Sequence, residues 1–393
     1  MAGTAPGTPG TPSVLRAMND RAALDLLVAH GPLTRTRIGE LTGLSKPTTS
    51  QLLSRLEAVG LVRATGSQTG RPGPNAVLYE IHPGAGHIVA LSADPTGITA
   101  VVADIAGAER GRCRIEAVAV ADDVRNRTAQ LVAEAFDGAL RLAGLGHDDV
   151  TTTVIGTPGA IDAHTGQLRY APHLPGWHSR TLLAELAEVL GTPVSIENDV
   201  NLAAIAEQYE GAAQDHDDFV LAYVDEGVGA AIVLGGVLLR GATGGAGEIG
   251  YMPLPGAPLA RGGEKEIAGE DAGGGFQSLV AAPAVRLLAG GVKDLGEALA
   301  DPAVLDELAR RLATGLAAVV AVVDPELVVL SGQVAQAGGE ALRVRVEREL
   351  TGLALPRPQL RISDLDDDPI LTGALRSALT QARDIVFDTG NNA

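Results

Sequence analysis

The sequence predicts an α/β protein built in two parts, a winged helix-turn-helix head at residues 13–82 and a two-lobed α/β body at residues 83–393. Three observations carry that expectation. At 393 residues the chain exceeds one ordinary domain and is long enough to bury a large core. Its hydrophobic period is helical and then extended over the first 82 residues, and alternates between strand-like and helical from Pro83 onward. Its formal charge of −18 is unevenly spread, since residues 1–82 hold eight Lys/Arg and five Asp/Glu, a balance of +3 that leaves −21 for the remainder. A small basic head on an acidic body suits a module that approaches phosphates while the body stays clear of them.

The elements follow in order. Residues 1–12, MAGTAPGTPGTP, contain six Gly or Pro and neither a basic start nor an apolar stretch, so they read as a disordered tail and not a signal peptide. Val14, Leu15, Met18, Ala22, Leu26 and Leu27 recur at helix spacing until His30-Gly31-Pro32 ends the run. Thr34 is placed to cap a short second helix through Leu41, Gly43 supplies the turn, and Ser45 is placed to cap a third helix. Pro47 falls in the first turn of that helix, where a missing N–H is tolerated, and Leu52, Leu53, Leu56 and Val59 are its expected buried stripe. Ser45, Lys46, Thr48, Thr49, Ser50, Gln51 and Arg55 are short hydrogen-bonding or cationic side chains, suited to base edges and flanking phosphates. Gln51 and Thr49 are expected on the exposed side, with Lys46 and Arg55 toward phosphates. Leu61–Arg63 and Val77–Ile81 read as strands around a Gly/Pro-rich tip with Arg71 at its apex, which completes a wing.

In the body, the runs at 88–94, 98–104, 153–156, 219–224, 230–234 and 327–332 read as strands, and Asn126–Leu142 and Val304–Val323 as helices. Two lobes with a cleft between them accommodate that alternation. With 46% hydrophobic and 20% charged residues and no uncharged apolar run near 18, the chain reads as cytoplasmic, without a membrane partner. Cys113 is the only cysteine, which excludes an internal disulfide and any multi-cysteine metal site.

Five segments, in this order, resemble the ROK family of bacterial sugar kinases and winged-helix repressors: Gly156–Asp162 (GTPGAID), Ala171–Trp177 (APHLPGW), Glu197–Ala204 (ENDVNLAA), Gly241–Gly250 (GATGGAGEIG) and Asp324–Gly332 (DPELVVLSG). The resemblance covers residues 13–385. It implies an actin-like, ribonuclease-H-like body of sugar-kinase type, with lobe I at about 86–199 plus the C-terminal helix and lobe II at about 200–369.

A kinase of that fold needs Gly-rich hairpins whose backbone N–H groups reach ATP phosphates, because side chains block approach and carboxylates repel the anion. The family's first loop is of DxGxT type, and the matching stretch Asp94-Pro-Thr-Gly-Ile-Thr puts Thr96 and Ile98 at the small and hydroxyl-bearing positions. The second is normally Gly-Thr-Gly-x-Gly, and here Asp225 and Glu226 precede Gly227-Val228-Gly229. A like-charged pair at about 4 Å costs about 4 kcal/mol at an effective dielectric near 20. The resemblance therefore implies a protein that is not an enzyme and takes no cofactor. On the sugar side it implies that Asn198, Asp199 and Glu248 bind hydroxyls, that Tyr251 stands for the family's His, and that Gln277 and Gly275 replace a sugar-binding Glu and a zinc-ligating Cys. His173 replaces an Asn common before the Leu-Pro-Gly-Trp segment. No metal is expected, and the acidic stretch 262–275 lacks the spacing of a calcium loop. Asp199 is equally a residue type for capping the helix after Glu197, Glu248 for a solvated loop, and Tyr251 for core packing.

The combined expectation is a transcriptional regulator of carbohydrate uptake or catabolism genes, binding double-stranded operator DNA as a homodimer or homotetramer and sensing a sugar or sugar derivative. Arg71 matches the family's minor-groove wing Arg. An ATP-dependent sugar kinase with an accessory head, and a regulator governed by a partner protein, are the alternatives.

Overall fold

The structure is a computed structural model that describes residues 12–68, 76–94, 96–116, 128–161, 168–169, 177, 181–259, 274–365 and 368–388. In the head, α1 (Pro12–His30), β1 (Leu33–Thr34), α2 (Arg35–Thr42), α3 (Lys46–Ala58), β2 (Val62–Gln68) and β3 (Ala76–Ile81) build three helices and a sheet of order β1-β3-β2. The caps lie where expected: Thr34 accepts from the Arg37 N–H, Ser45 from the Thr48 N–H, and Gly43 ends α2 in the left-handed region at φ 71°. The short β1 pairing with β3 was not anticipated, because two residues carry no period.

Burial corrects two expectations in this head. Ala23, Leu24 and Leu27 of α1 join Ile38, Leu52, Leu53 and Leu56 in the core, while Val14, Leu15 and Met18 are exposed. Val59 is not part of the buried stripe; it lies past the end of α3 and is exposed. A buried carboxylate, Asp20 of α1, receives the Nε and Nη2 donors of Arg55 and ties α1 to α3.

The body continues with β4 (His87–Asp94), β5 (Gly97–Asp104), β6 (Glu109–Glu116), α4 (Thr128–Ala143), β7 (Val150–Thr157), β8 (Ala160–Ile161), β9 (Leu168–Arg169), α5 (Leu182–Leu190), β10 (Val194–Asn198) and α6 (Asp199–Tyr209). Next come β11 (Phe219–Val224), β12 (Val228–Leu234), β13 (Val237–Leu238), α7 (Gln277–Val280), α8 (Ala282–Leu288), α9 (Leu295–Leu299), α10 (Pro302–Val323), β14 (Leu327–Ser331), α11 (Gln333–Leu353), β15 (Gln359–Ile362) and α12 (Pro369–Val386). None of the described helices is long and apolar enough to cross a membrane.

Two five-stranded sheets repeat one topology. In the first, of order β10-β7-β4-β5-β6, β4 pairs antiparallel with β5 and parallel with β7. In the second, of order β13-β12-β11-β14-β15, β11 pairs antiparallel with β12 and parallel with β14. Such crossover topology places ligand-accessible loops beyond the carboxyl ends of the parallel strands. Helix α6 joins the halves: Leu202 packs with Leu371 and Ala374 of α12, and Val200, Ala203 and Ala204 pack against the second sheet with Phe219 and Leu221.

Arg55→Ala should destabilise the head by about 1–3 kcal/mol, because it removes the cationic partner of the buried Asp20 carboxylate. Limited proteolysis and denaturant melts of the full chain read that loss, and Asp20→Asn added to Arg55→Ala should recover part of it.

Candidate functional site

Two surfaces bring functional residue types together. On the head, Ser45, Lys46, Thr48 and Gln51 are exposed along α3 and Ser50 is half-buried. Ser45 and Thr48 share a hydroxyl hydrogen bond of 2.8 Å, and Arg35 of α2 donates to Ser50 Oγ at 3.0 Å. Arg35 and Ser54, both exposed beside that face, were missed by the sequence reading, although the Arg-Thr-Arg opening of α2 is a visible basic signal. Thr49 is corrected from the exposed side to the core: it is 1% exposed and its hydroxyl donates to the Ser45 carbonyl at 3.0 Å. Arg55 is corrected from a phosphate-facing cation to the partner of Asp20. Arg37 and Arg63 are likewise paired, to Glu40 and Glu80. Among the described head residues, Arg16, Arg35 and Lys46 are the cations without a carboxylate partner, so the positive field is concentrated at the starts of the helices. Arg71 lies outside the described residues.

The second surface is the cleft at the strand ends of the body. Asn198 ends β10 and caps α6, accepting from the Asn201 N–H at 3.1 Å. Its amide donates to the Gly159 carbonyl at 2.9 Å and to Asp199 Oδ1 at 3.0 Å, so the 156–159 loop fixes its rotamer. The capping role therefore belongs to Asn198, and Asp199 occupies the first helical position with Oδ1 accepting from the Val200 N–H at 2.8 Å. Burial pushes the Asp199 carboxyl up to about 7, and the charge of Asp225 adds to that effect. Glu197 completes the floor, with Oε1 accepting from Asn201 at 2.9 Å and Oε2 from Arg240 at 2.8 Å. Arg240 stands at the root of the Gly241–Gly250 loop, so this ion pair links the first sheet's edge to the loop that carries Glu248. Glu248, Tyr251 and Gln277 are half-buried, and Gln277 Oε1 lies against Gly250. His173 lies outside the described residues.

The zinc ligands of the family do not fit this chain. Gly275 has φ 66°, and a Cβ there would overlap the Gly250 carbonyl oxygen and the Tyr251 backbone. Among the described residues no group of three His, Cys, Asp or Glu side chains is placed to hold a metal.

The two hairpins that match the family's phosphate loops make internal contacts. Asp94 Oδ1 accepts from the N–H groups of Thr96 at 2.6 Å and Gly97 at 3.0 Å, and Arg114 donates to the Thr96 and Thr99 hydroxyls. These bonds close a turn on the Asp94 side chain. In the second hairpin, the Asp225 carboxylate accepts from the Gln333 N–H at 3.2 Å and from the Gln333 side chain, at the amino end of α11. Glu226 is paired with Arg286 at 2.8 Å. A carboxylate thus holds the helix terminus that attracts anions. Tyr223, half-buried beneath this hairpin, has its hydroxyl proton held more tightly by burial and by the charges of Asp225, Asp199 and Asp368.

An open groove of about 690 Å³ at the far end of α6, lined by Ala212, Asp215, Arg343 and Arg361, is a poorer candidate. Its arginines are committed to Glu340, Glu347 and Asp215.

The duplicated sheets and the cleft at their strand ends define a two-lobed, actin-like body of sugar-kinase type beneath a winged helix. The chain belongs to the ROK family: residues 96–380 match the family's profile, and residues 19–71 match that of the MarR family. A glucokinase of Thermotoga maritima is 29% identical over 55% of this chain and 72% of its own length. The xylose repressor of Bacillus subtilis and the dual regulator NagC of Escherichia coli are each 24% identical, over 61% and 62% of this chain. The chain spans 61% and 59% of the length of those two regulators. Among solved structures, a ROK transcriptional regulator described as a homologue of E. coli MLC superposes over 95% of this chain and 97% of its own, with TM-score 0.71 and 22% identity. A ROK hexokinase of Thermus thermophilus superposes over 76% of this chain and 99% of its own, with TM-score 0.61 and 30% identity.

Because the folded Asp199 pKa stands above its ordinary value of 3.8, the folded state binds the extra proton between about pH 4 and 7. Stability from this group is therefore present at low pH and lost as pH rises through about 7. Asp199→Asn should flatten that decline, with a difference of about 1–2 kcal/mol between pH 5 and 8 in denaturant melts.

Proposed function

We propose that the protein is a DNA-binding transcriptional regulator, a repressor of carbohydrate uptake or catabolism genes, whose body senses a sugar or sugar derivative without phosphorylating it. One observation supports this reading: in the second hairpin the Asp225 carboxylate accepts from the Gln333 N–H at the start of α11, and Thr96 and Ile98 stand at the small and hydroxyl-bearing positions of the first, while Asn198, Asp199 and Glu248 are present at the positions proposed to bind sugar hydroxyls. Regulators named for xylose and N-acetylglucosamine among the relatives support a sugar as the signal. In this reading residues 13–82 read operator DNA, lobe I comprises about 86–199 plus the C-terminal helix, and lobe II about 200–369. Helix-turn-helix heads read paired half-sites, so a homodimer or homotetramer acting in the cytoplasm follows.

Base readout falls to Gln51 and Thr48, and phosphate contact to Lys46 and Arg35. The wing apex at Arg71 and the cleft residue His173 complete the proposed contacts, with Tyr251 and Gln277 shaping the sugar wall. Gln51→Ala should cost about 1–3 kcal/mol at the true operator and little on random DNA. Lys46→Ala and Arg35→Ala should weaken binding to all sequences alike and lower the salt slope by about one unit each. A genome-wide binding map supplies the operator, and titration on that site measures both effects. If deletion of residues 1–82 leaves operator binding intact, the reading fails.

The glucokinase and hexokinase relatives favour a second reading, an ATP-dependent sugar kinase with an accessory head. A coupled assay with ATP and a panel of pentoses, hexoses and N-acetylhexosamines separates the two. The regulatory reading expects no turnover, together with release from the operator by one sugar and loss of that response in Asn198→Ala. Phosphorylation abolished by Asp199→Asn would establish the kinase.

A further inference from the structure

The cleft and the recognition helix are joined by a continuous set of rigid contacts. At the cleft end, Asn198 and Asp199 form the first turn of α6. One turn along, α6 meets α12 backbone to backbone: a Cβ on Gly373 would overlap the Leu202 carbonyl oxygen, and Leu202 and Ile370 also fill the space above Gly156. With no side chain between them, α6 has no room to shift or tilt without carrying α12. The far end of α12 is fastened to the first sheet by Arg383, whose Nε and Nη2 donate to the Ile105 carbonyl at 3.1 and 3.0 Å. It is also fastened to the head. Arg21 of α1 donates to Asp384 at 2.8 Å and to Asp25 at 2.9 Å, and its guanidinium lies 5.8 Å from the ring centroid of Phe387. Phe387 is buried in the same core as Leu24 and Leu27 of α1. The residue before Arg21 is Asp20, which holds Arg55 of α3.

We propose that α12 is the coupling element between cleft and head, and that the Arg21–Asp384 contact is the joint through which a change at the first turn of α6 alters the seating of α1 and α3. Arg21 and Asp384 are positioning residues: neither belongs to the cleft nor to the exposed face of α3. The regulatory reading gives this coupling its purpose. Coupling between two sites is a free energy and is measured as a change in one site's response when the other is perturbed.

The test uses the full chain and amide hydrogen exchange, with Asn198→Ala as the perturbation because it removes the cap of α6. The expected result is exchange faster by about fivefold in α6 and also in α1 and α3. In an Asp384→Asn background, which keeps the size of the side chain and removes its charge, the same substitution should still act on α6 while its effect on α1 and α3 falls below about twofold. Should Asn198→Ala prevent folding, Asp199→Asn perturbs the same turn. An unresponsive head, a response of equal size with and without the Asp384 charge, or a uniform increase across all segments would overturn the proposal. Neither DNA nor sugar enters this experiment, so its failure is distinct from failure of the regulatory reading, which rests on operator binding and release.

Discussion

The close approach between the backbones of α6 and α12 at Leu202 and Gly373 is the constraint on which the rest of the body depends. Helix α6 buries Leu202 on one side and Val200, Ala203 and Ala204 on the other, so both sheets rest against it. Small residues on its second face let the sheet come near, and the missing side chain at position 373 lets the helices touch. Volume added at either place would push the two halves apart, because a packed interior transmits strain and does not absorb it.

The strand-end residues of both sheets are held by internal hydrogen bonds. On the first sheet's side these are the Asn198 cap and the Glu197 contact to Asn201. At the two hairpins, the carboxylates of Asp94 and Asp225 accept from backbone N–H groups. The altered residues have local partners: the Thr96 N–H donates to Asp94, Asp225 accepts at the amino end of α11, and Glu226 meets Arg286. The replacements are stable features of the fold and do not leave buried charges without partners.

Much of this was legible in the sequence where the signal is local. The Thr34 and Ser45 caps, the Gly43 turn and the strand alternation of the body rest on residues within a few positions of one another, and the structure places them as expected. Thr49 was misplaced although its spacing of three, four and seven from Leu52, Leu53 and Leu56 marks the core stripe; residue type outweighed periodicity in that assignment. Arg55 could not be resolved from sequence, since its partner Asp20 is 35 positions away and its carboxylate gave no sign of being buried. That α6 packs against both sheets, through Leu202 on one side and Val200, Ala203 and Ala204 on the other, was likewise not visible in the chain's local pattern. Roles of Gly275 and Gly373 are set by what lies across from them, which no neighbouring residue reports.

Asp225 at the amino end of α11 has a further consequence. A kinase-derived body that still accepted ATP would answer to two concentrations at once, and its response to sugar would drift with the energy state of the cell. In the proposed sugar-sensing reading, an internal carboxylate at the anion position would leave occupancy of the cleft dependent on one solute alone. Such a protein would be a single-input device, deaf to adenylate supply and able to report the same sugar level in starvation and in growth.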